Sequence, residues 1–331
     1  MTEDPKELVR RVRKDRDQRV RAVARLMTLI ENAPERMPEL LVGVADWPSA
    51  RIVIGLTGPP GCGKSLLVDR LITAWRARDP ASLIGVIAVD ASSPFTNGAF
   101  LGDRLRMMGH ATDASVFIRS AASRGHIGGL MLGVRGFIRV LGLAGCEVIL
   151  IETVGVGQNE TEITDVADLV VVAIDPGHGD TIQLLKSGLM EVGDIFVVNK
   201  ADREGAEQLQ AQLLSVLRLK GLGRSGRMAD VCLVSALHRR GIGELIDVFK
   251  KRAEESESEW QARRRQGIFE EVREAVLQES RKRILQAIGP DRMATEDFQR
   301  ILTGELTVAG LVDEILQRVI ESRVQKVEHH G

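Results

Sequence analysis

Gly58-Pro-Pro-Gly61-Cys-Gly63-Lys64-Ser65-Leu66 follows the apolar run RIVIGLT and opens into a helical pattern. It satisfies G-x-x-x-x-G-K-[ST] in the strand, loop, helix order that a phosphate-binding loop requires. Glycines there let backbone N–H groups converge on phosphate oxygens at a helix N-terminus, whose dipole favours negative charge. Gly58, Gly61, Gly63, Lys64, Ser65 and Leu66 are therefore the expected phosphate-binding residues. Lys64 is expected to reach the β and γ phosphates and to act in catalysis, and Ser65 to ligate Mg²⁺.

The base is chosen further along the chain. Asn199-Lys200-Ala201-Asp202 ends the run IFVVNKAD and matches N-K-x-D. A carboxylate can accept both the N1–H and the 2-amino group of guanine, a donor pair that adenine lacks, so Asp202 favours GTP over ATP. Lys200 is expected along the purine face, and Asn199 is expected to tie this loop to the phosphate loop. Ser235-Ala236-Leu237, ending the next apolar run, resembles a second guanine loop in which a backbone N–H meets O6.

Carboxylates for a metal lie between these motifs. EVILI ends in Glu152-Thr153-Val154-Gly155, so Glu152 is placed to hold Mg²⁺ directly or through water, and Gly155 to approach the γ phosphate. Asp90, ending LIGVIAVD, and Asp103 in FLGDRLRMM are further metal candidates, with helix-capping or turn roles as the alternative. Gln158 either orients an attacking water or caps the next helix. Cys62 lies in the phosphate loop, where a helix N-terminus lowers a thiol pKa, although packing explains a buried thiol as well.

The elements that position these residues alternate. RIVIGLTG, LIGVIAVDA, ASVFIRS, EVILIETVG, LVVVAIDPG, IFVVNKAD and VCLVSAL are short β-rich runs separated by amphipathic stretches. That pattern predicts an α/β fold with a mostly parallel sheet covered on both faces. Before it, Leu8 and Val12, then Val20, Val23, Leu26 and Ile30, recur at helical spacing, predicting two helices with Pro34 and Pro38 marking the break. After EESESEW, two further amphipathic segments follow, and Gly289-Pro290 ends the first. The expected organisation is an N-terminal helical segment over 1–48, a nucleotide-binding domain over 49–256 and a C-terminal helical arm over 257–331. Such an arm buries too little apolar surface to stand alone, so it is expected against the core or a second subunit.

Composition narrows the function classes. Lysine plus arginine (45) nearly balance aspartate plus glutamate (46), so no strong field draws the chain of 331 residues to nucleic acid or an anionic membrane. Its apolar runs fall short of the roughly 20 residues of a bilayer span, and MTEDPKELVRR lacks a signal-peptide apolar core, so a cytoplasmic protein is expected. The three cysteines, Cys62, Cys146 and Cys232, are scattered without Cys-x-x-Cys pairing, against a disulfide framework or zinc ribbon.

GxPGxGKS, AVDxSS, LGDRxRM, SRGHIGG, ETVGVGQNE, DPGHGDTIQLLKSG and NKAD together resemble the MeaB-type GTPases, chaperones of methylmalonyl-CoA mutase, some of which carry an older label as transport ATPases for lysine, arginine and ornithine. The resemblance covers about residues 50 to 250. It implies a P-loop GTPase core using GTP/GDP and Mg²⁺, with Asp90, Asp103 and Glu152 around the metal and Asn199, Lys200 and Asp202 on guanine. It further implies a partner, an adenosylcobalamin-dependent acyl-CoA mutase for methylmalonyl-CoA, isobutyryl-CoA or 2-hydroxyisobutyryl-CoA, with an adenosyltransferase as a second contact and a homodimer through the C-terminal arm. Pro176 to Gly188 resembles the family's mutase-responsive switch, in which Lys186 is either the lysine brought toward the nucleotide or an exposed helix residue. Ala91 replaces a usual proline, Asn97 a usual glycine, and His178 adds a titratable ring to the switch. A nickel-insertion GTPase requires clustered Cys and His, whereas the adjacent histidines are the terminal His329 and His330. An amino-acid transport ATPase is disfavoured by NKAD.

Overall fold

Continuous runs of Val, Ile and Leu bury both faces of a strand, and the chain uses them to build its centre. The computed structural model describes residues 4–13, 16–33, 50–90, 108–110, 112–122, 129–153, 162–177, 189–221, 226–288 and 295–314. Among these, β1 (Ile52–Thr57), β2 (Leu83–Asp90), β3 (Val116–Ala122), β4 (Cys146–Thr153), β5 (Leu169–Ile174), β6 (Ile195–Val198) and β7 (Asp230–Leu233) correspond to the expected apolar runs. They form a 7-stranded sheet in the order β3-β2-β4-β1-β5-β6-β7. Every neighbouring pair is parallel.

The helices are α1 (Pro5–Val12), α2 (Arg16–Asn32), α3 (Lys64–Arg78), α4 (Gly129–Leu143), the single turn α5 (Leu189–Val192), α6 (Ala206–Lys220), α7 (Ile242–Ile288) and α8 (Thr295–Leu302). Alternate strand residues feed two cores. Val53, Val170, Val172 and Val198 pack with Leu26 and Ile30 of α2, Phe137 and Leu141 of α4, and Leu213 of α6. Ile54, Leu56, Val171 and Ala173 pack with Leu67, Leu71 and Trp75 of α3 and Leu245 and Phe249 of α7. Each such fully buried side chain contributes about 1.5–3 kcal/mol, which makes the sheet a stiff platform for its loops.

Topology places the site. From β1 the chain moves to β2 and β3, returns to β4 beside β1, and then leaves on the other side through β5, β6 and β7. The C-terminal ends of the strands beside β1 therefore flank a topological switch point, the place where open α/β sheets bind ligands.

The two N-terminal helices both precede Pro34, which corrects the expected break at Pro34 and Pro38: the chain interrupts its helix after Val12 instead. No apolar residue occurs between Val12 and Val20, so a helix continuing through that interval would have no apolar face to bury. Arg19 Nε donates to the Val12 carbonyl at 3.1 Å, satisfying a group at the end of α1. Asp4 caps the start of α1 by accepting from the Lys6 N–H at 3.0 Å, with Pro5 at the first turn.

At the opposite, N-terminal edge of the sheet, buried carboxylates act as backbone clamps. Asp168 Oδ2 accepts from the Val53 N–H at 2.8 Å, and Asp168 Oδ1 accepts from Arg264 Nε at 2.9 Å. Asp194 Oδ2 accepts from the Val170 N–H at 2.9 Å.

The chain divides into two compact units, Met1–Arg264 and Arg265–Gly331. Position 256, the expected end of the nucleotide-binding domain, lies inside α7, where Ser256 and Trp260 are buried. α7 ends at Ile288, just before Gly289-Pro290. In the second unit, Ile268, Phe269, Val272 and Val276 are exposed, and Arg300 of α8 pairs with Glu314 at 3.1 Å. Among the described residues, no helix is long and apolar enough to cross a membrane.

Candidate nucleotide-binding site

The loop between β1 and α3 turns through three glycines of positive φ: Gly58 (137°), Gly61 (79°) and Gly63 (94°). At two of them a side chain is also excluded by space. A Cβ on Gly58 would lie 2.0 Å from the Ala173 carbonyl oxygen, and one on Gly63 would lie 2.6 Å from Asn199 Nδ2. The loop is thus pressed against the ends of β5 and β6, and Lys64 and Ser65 begin α3 with their backbone N–H groups at a helix N-terminus. Leu66 follows in the first turn of α3 and is half-buried. Lys64 Nζ is buried in the mouth of the loop and donates to the carbonyls of Gly58 at 2.7 Å and Pro59 at 3.1 Å.

Ser65 Oγ donates to Glu152 Oε1 at 2.6 Å, joining the start of α3 to the end of β4. Both side chains are buried. A hydroxyl and a carboxylate side by side are hard oxygen donors of the kind Mg²⁺ takes while keeping several of its waters. Asp90 ends β2, the strand beside β4, with its backbone in register with Ala122 of β3. Asp103, Gly155, Gln158 and Lys186 lie outside the described residues, as do Ala91, Asn97 and His178. Among the described residues, no group of three or more His, Cys, Asp or Glu gathers as a metal site.

The base side is assembled by one amide. Asn199 Nδ2 donates to the Cys62 carbonyl at 2.9 Å, and Asn199 Oδ1 accepts from the Ala236 N–H at 3.1 Å. The side chain thereby links the phosphate loop to both loops expected to read guanine. Its own backbone N–H donates to the Ile174 carbonyl at 2.7 Å, and the Ala201 N–H donates to Val234 at 3.0 Å. Because Asn199 takes the Ala236 N–H, that group serves loop assembly as well as lying in the predicted O6 loop. Leu237 beside it is exposed.

Asp202 Oδ1 accepts from the Ser235 hydroxyl. That donation holds the carboxyl below the usual carboxylate range, so the acceptor stays ionised. The Ser235 oxygen also accepts from the His238 N–H at 3.3 Å, and the His238 ring stands 3.9 Å from Asp202 Oδ2. From below, Arg70 Nε donates to the Ala236 carbonyl at 3.1 Å while its Nη1 pairs with Asp69 at 2.8 Å. Burial pushes the Cys62 thiol up, outweighing the lowering by Lys64.

One residue of the site escaped the sequence reading. Asp175, immediately after β5, pairs with Lys200 Nζ at 2.6 Å, while the same ammonium donates to the Gly61 carbonyl at 2.6 Å. The available signal was its place: an acid ending a strand at the switch point, followed by a Pro-Gly turn.

Comparison with known proteins gives the family from a family model and the fold from a solved structure. The model of the methylmalonyl Co-A mutase-associated GTPase MeaB matches residues 23–288. A Pyrococcus abyssi protein named as a GTPase is 45% identical over 275 residues, covering 82% of this chain and 83% of that protein. The mouse protein named methylmalonic aciduria type A homolog, mitochondrial, is 34% identical over 204 residues, covering 60% of this chain and 48% of that protein. The crystal structure of a LAO/AO transport system kinase has the same fold, with TM-score 0.65 over 97% of this chain and 98% of that chain at 24% identity. With its phosphate loop, its Asn199 bridge and a match that spans most of its length, the chain belongs to the MeaB family of GTPases.

Proposed function

We propose that the chain is a Mg²⁺-dependent GTPase that binds an adenosylcobalamin-dependent acyl-CoA mutase, gates cofactor loading and protects or reactivates the mutase as GTP is hydrolysed. The observation that carries this reading is the match of residues 23–288 to a family described by its association with methylmalonyl-CoA mutase. The site supports it: the Gly58 and Gly63 cradle excludes side chains where phosphates would pass, and the Ser65–Glu152 pair offers oxygen donors.

In this reading Lys64 leaves the Gly58 and Pro59 carbonyls to meet phosphate, and Ser65, Glu152, Asp90 and Asp103 hold the metal. Bound Mg²⁺ supplies charge neutralisation at the β and γ phosphate oxygens. Asp202 takes the guanine N1–H and 2-amino group, Lys200 lies on the purine face, and the 235–237 loop meets O6. Gly155 approaches the γ phosphate and Gln158 orients water. Lys186 is delivered by the mutase and stabilises developing negative charge, as an arginine finger does. The protein works in the cytoplasm as a homodimer through its C-terminal arm, with an adenosyltransferase supplying the cofactor.

Binding tests this directly. Purified with a non-hydrolysable GTP analogue and mixed with candidate mutases from the same source, the chain is expected to co-elute with one of them in size-exclusion chromatography. Failure to associate with every adenosylcobalamin-dependent acyl-CoA mutase of that source, in either nucleotide state, would discard the client.

A further inference from the structure

Asp175 stands where the end of β5, the phosphate loop and the N-K-x-D loop meet, and its side chain is fully buried. A carboxylate in that position is costly unless paired, and Oδ2 is paired to Lys200 Nζ at 2.6 Å. The same ammonium donates to the Gly61 carbonyl at 2.6 Å, so the lysine is stretched between two fixed acceptors. Its backbone is constrained as well: Lys200 has φ 56°, a left-handed conformation unfavourable for a residue with a side chain. The turn after Asp175 lies against the same loop, with Arg203 Nη1 3.2 Å from where a Cβ of Gly177 would stand.

We propose that Asp175 is a positioning residue for guanine-nucleotide retention: its carboxylate holds the Lys200 ammonium over the Gly61 carbonyl and thereby fixes the lysine's alkyl chain where the purine face rests. This rests on the guanine-nucleotide reading of the site. Without the carboxylate's charge, the ammonium loses its one charge-assisted partner at this point, and the strained Lys200 backbone is held less firmly. The base is then less enclosed, while Lys64, Ser65 and Glu152 are untouched. The effect falls on release of nucleotide and on KM, not on kcat.

The test is release of a fluorescent N-methylanthraniloyl GDP from wild type, Asp175→Asn, Lys200→Met and the double variant, alongside GTP turnover and melting of the nucleotide-free protein. Asp175→Asn is expected to release the nucleotide about tenfold faster, as loss of a charge-assisted contact predicts, and to raise KM for GTP by a similar factor. At saturating GTP, kcat is expected to stay within about twofold of wild type. In the Lys200→Met background the second change is expected to add nothing, because both act through one contact. Should Asp175→Asn not fold, Asp175→Ser carries the same comparison. Unchanged release, or an equal acceleration with and without Lys200, overturns the inference while the guanine reading stands. Wild type that fails to bind the labelled GDP overturns both.

Discussion

The two edges of one sheet bury carboxylates for different ends. At the N-terminal edge, Asp168 and Asp194 spend their oxygens on backbone N–H groups of Val53 and Val170, and Asp168 also takes Arg264. These partners belong to the framework of the sheet. At the C-terminal edge, Glu152 takes the Ser65 hydroxyl and Asp175 takes the Lys200 ammonium, groups at the start of the helix after the phosphate loop and in the N-K-x-D motif after β6. Burial alone therefore does not mark a functional acid. What marks it is the identity of the partner and the end of the strand it occupies.

Substitutions at the two edges are therefore expected to separate activity from stability. The largest effect is expected for Lys64→Ala, which removes the charge at the phosphate loop and lowers GTP hydrolysis by about a thousandfold, with melting little changed. At the other edge, Asp168→Ala leaves Arg264 and the Val53 N–H without their acceptor and is expected to cost about 3 kcal/mol in denaturant unfolding, with KM and kcat near wild type. An active-site defect there would break the comparison. Glu152→Gln keeps the shape and weakens metal holding; hydrolysis is expected to fall by about a hundredfold and the Mg²⁺ concentration for half-maximal rate to rise. Asp202→Asn is expected to weaken GTP binding by about tenfold or more and to relax base choice, read by competition with ATP and ITP.

The smallest effect is a pH dependence. The Ser235 hydroxyl lowers the folded-state pKa of Asp202, so its ionised form contributes stability that is present above the unfolded value. That contribution is lost only as pH falls through the lower folded value. The contribution of Asp202 to GTP affinity, read as the difference between wild type and Asp202→Asn at each pH, should accordingly stay flat from neutral pH down to the upper end of the carboxylate range, and a difference that titrates between pH 7 and 5 would contradict the hydrogen bond's role.

The sheet and its loops were largely legible because their signals are local. Buried parallel strands read as apolar runs, so all seven strands could be assigned from their composition. The phosphate loop and N-K-x-D are likewise contiguous, and Asn199 was expected at the junction it occupies. Pairings made by the fold carry no such signature: Asp175 with Lys200 and Asp168 with Arg264 join residues on separate elements, and the sequence does not say which partner each takes. The break after Val12 was missed for another reason. Proline is the obvious interruption in the sequence, whereas the helix ends where the run without apolar residues from Arg13 to Arg19 begins.

The measurement that tests the central claim most directly is steady-state GTP hydrolysis, with ATP as control, by the chain alone and with each adenosylcobalamin-dependent acyl-CoA mutase from the same source. The account predicts turnover selective for GTP, slow for the isolated chain and raised by one mutase. GTP-selective turnover that no mutase changes would contradict the chaperone role, and equal turnover of ATP would contradict the base reading built on Asp202.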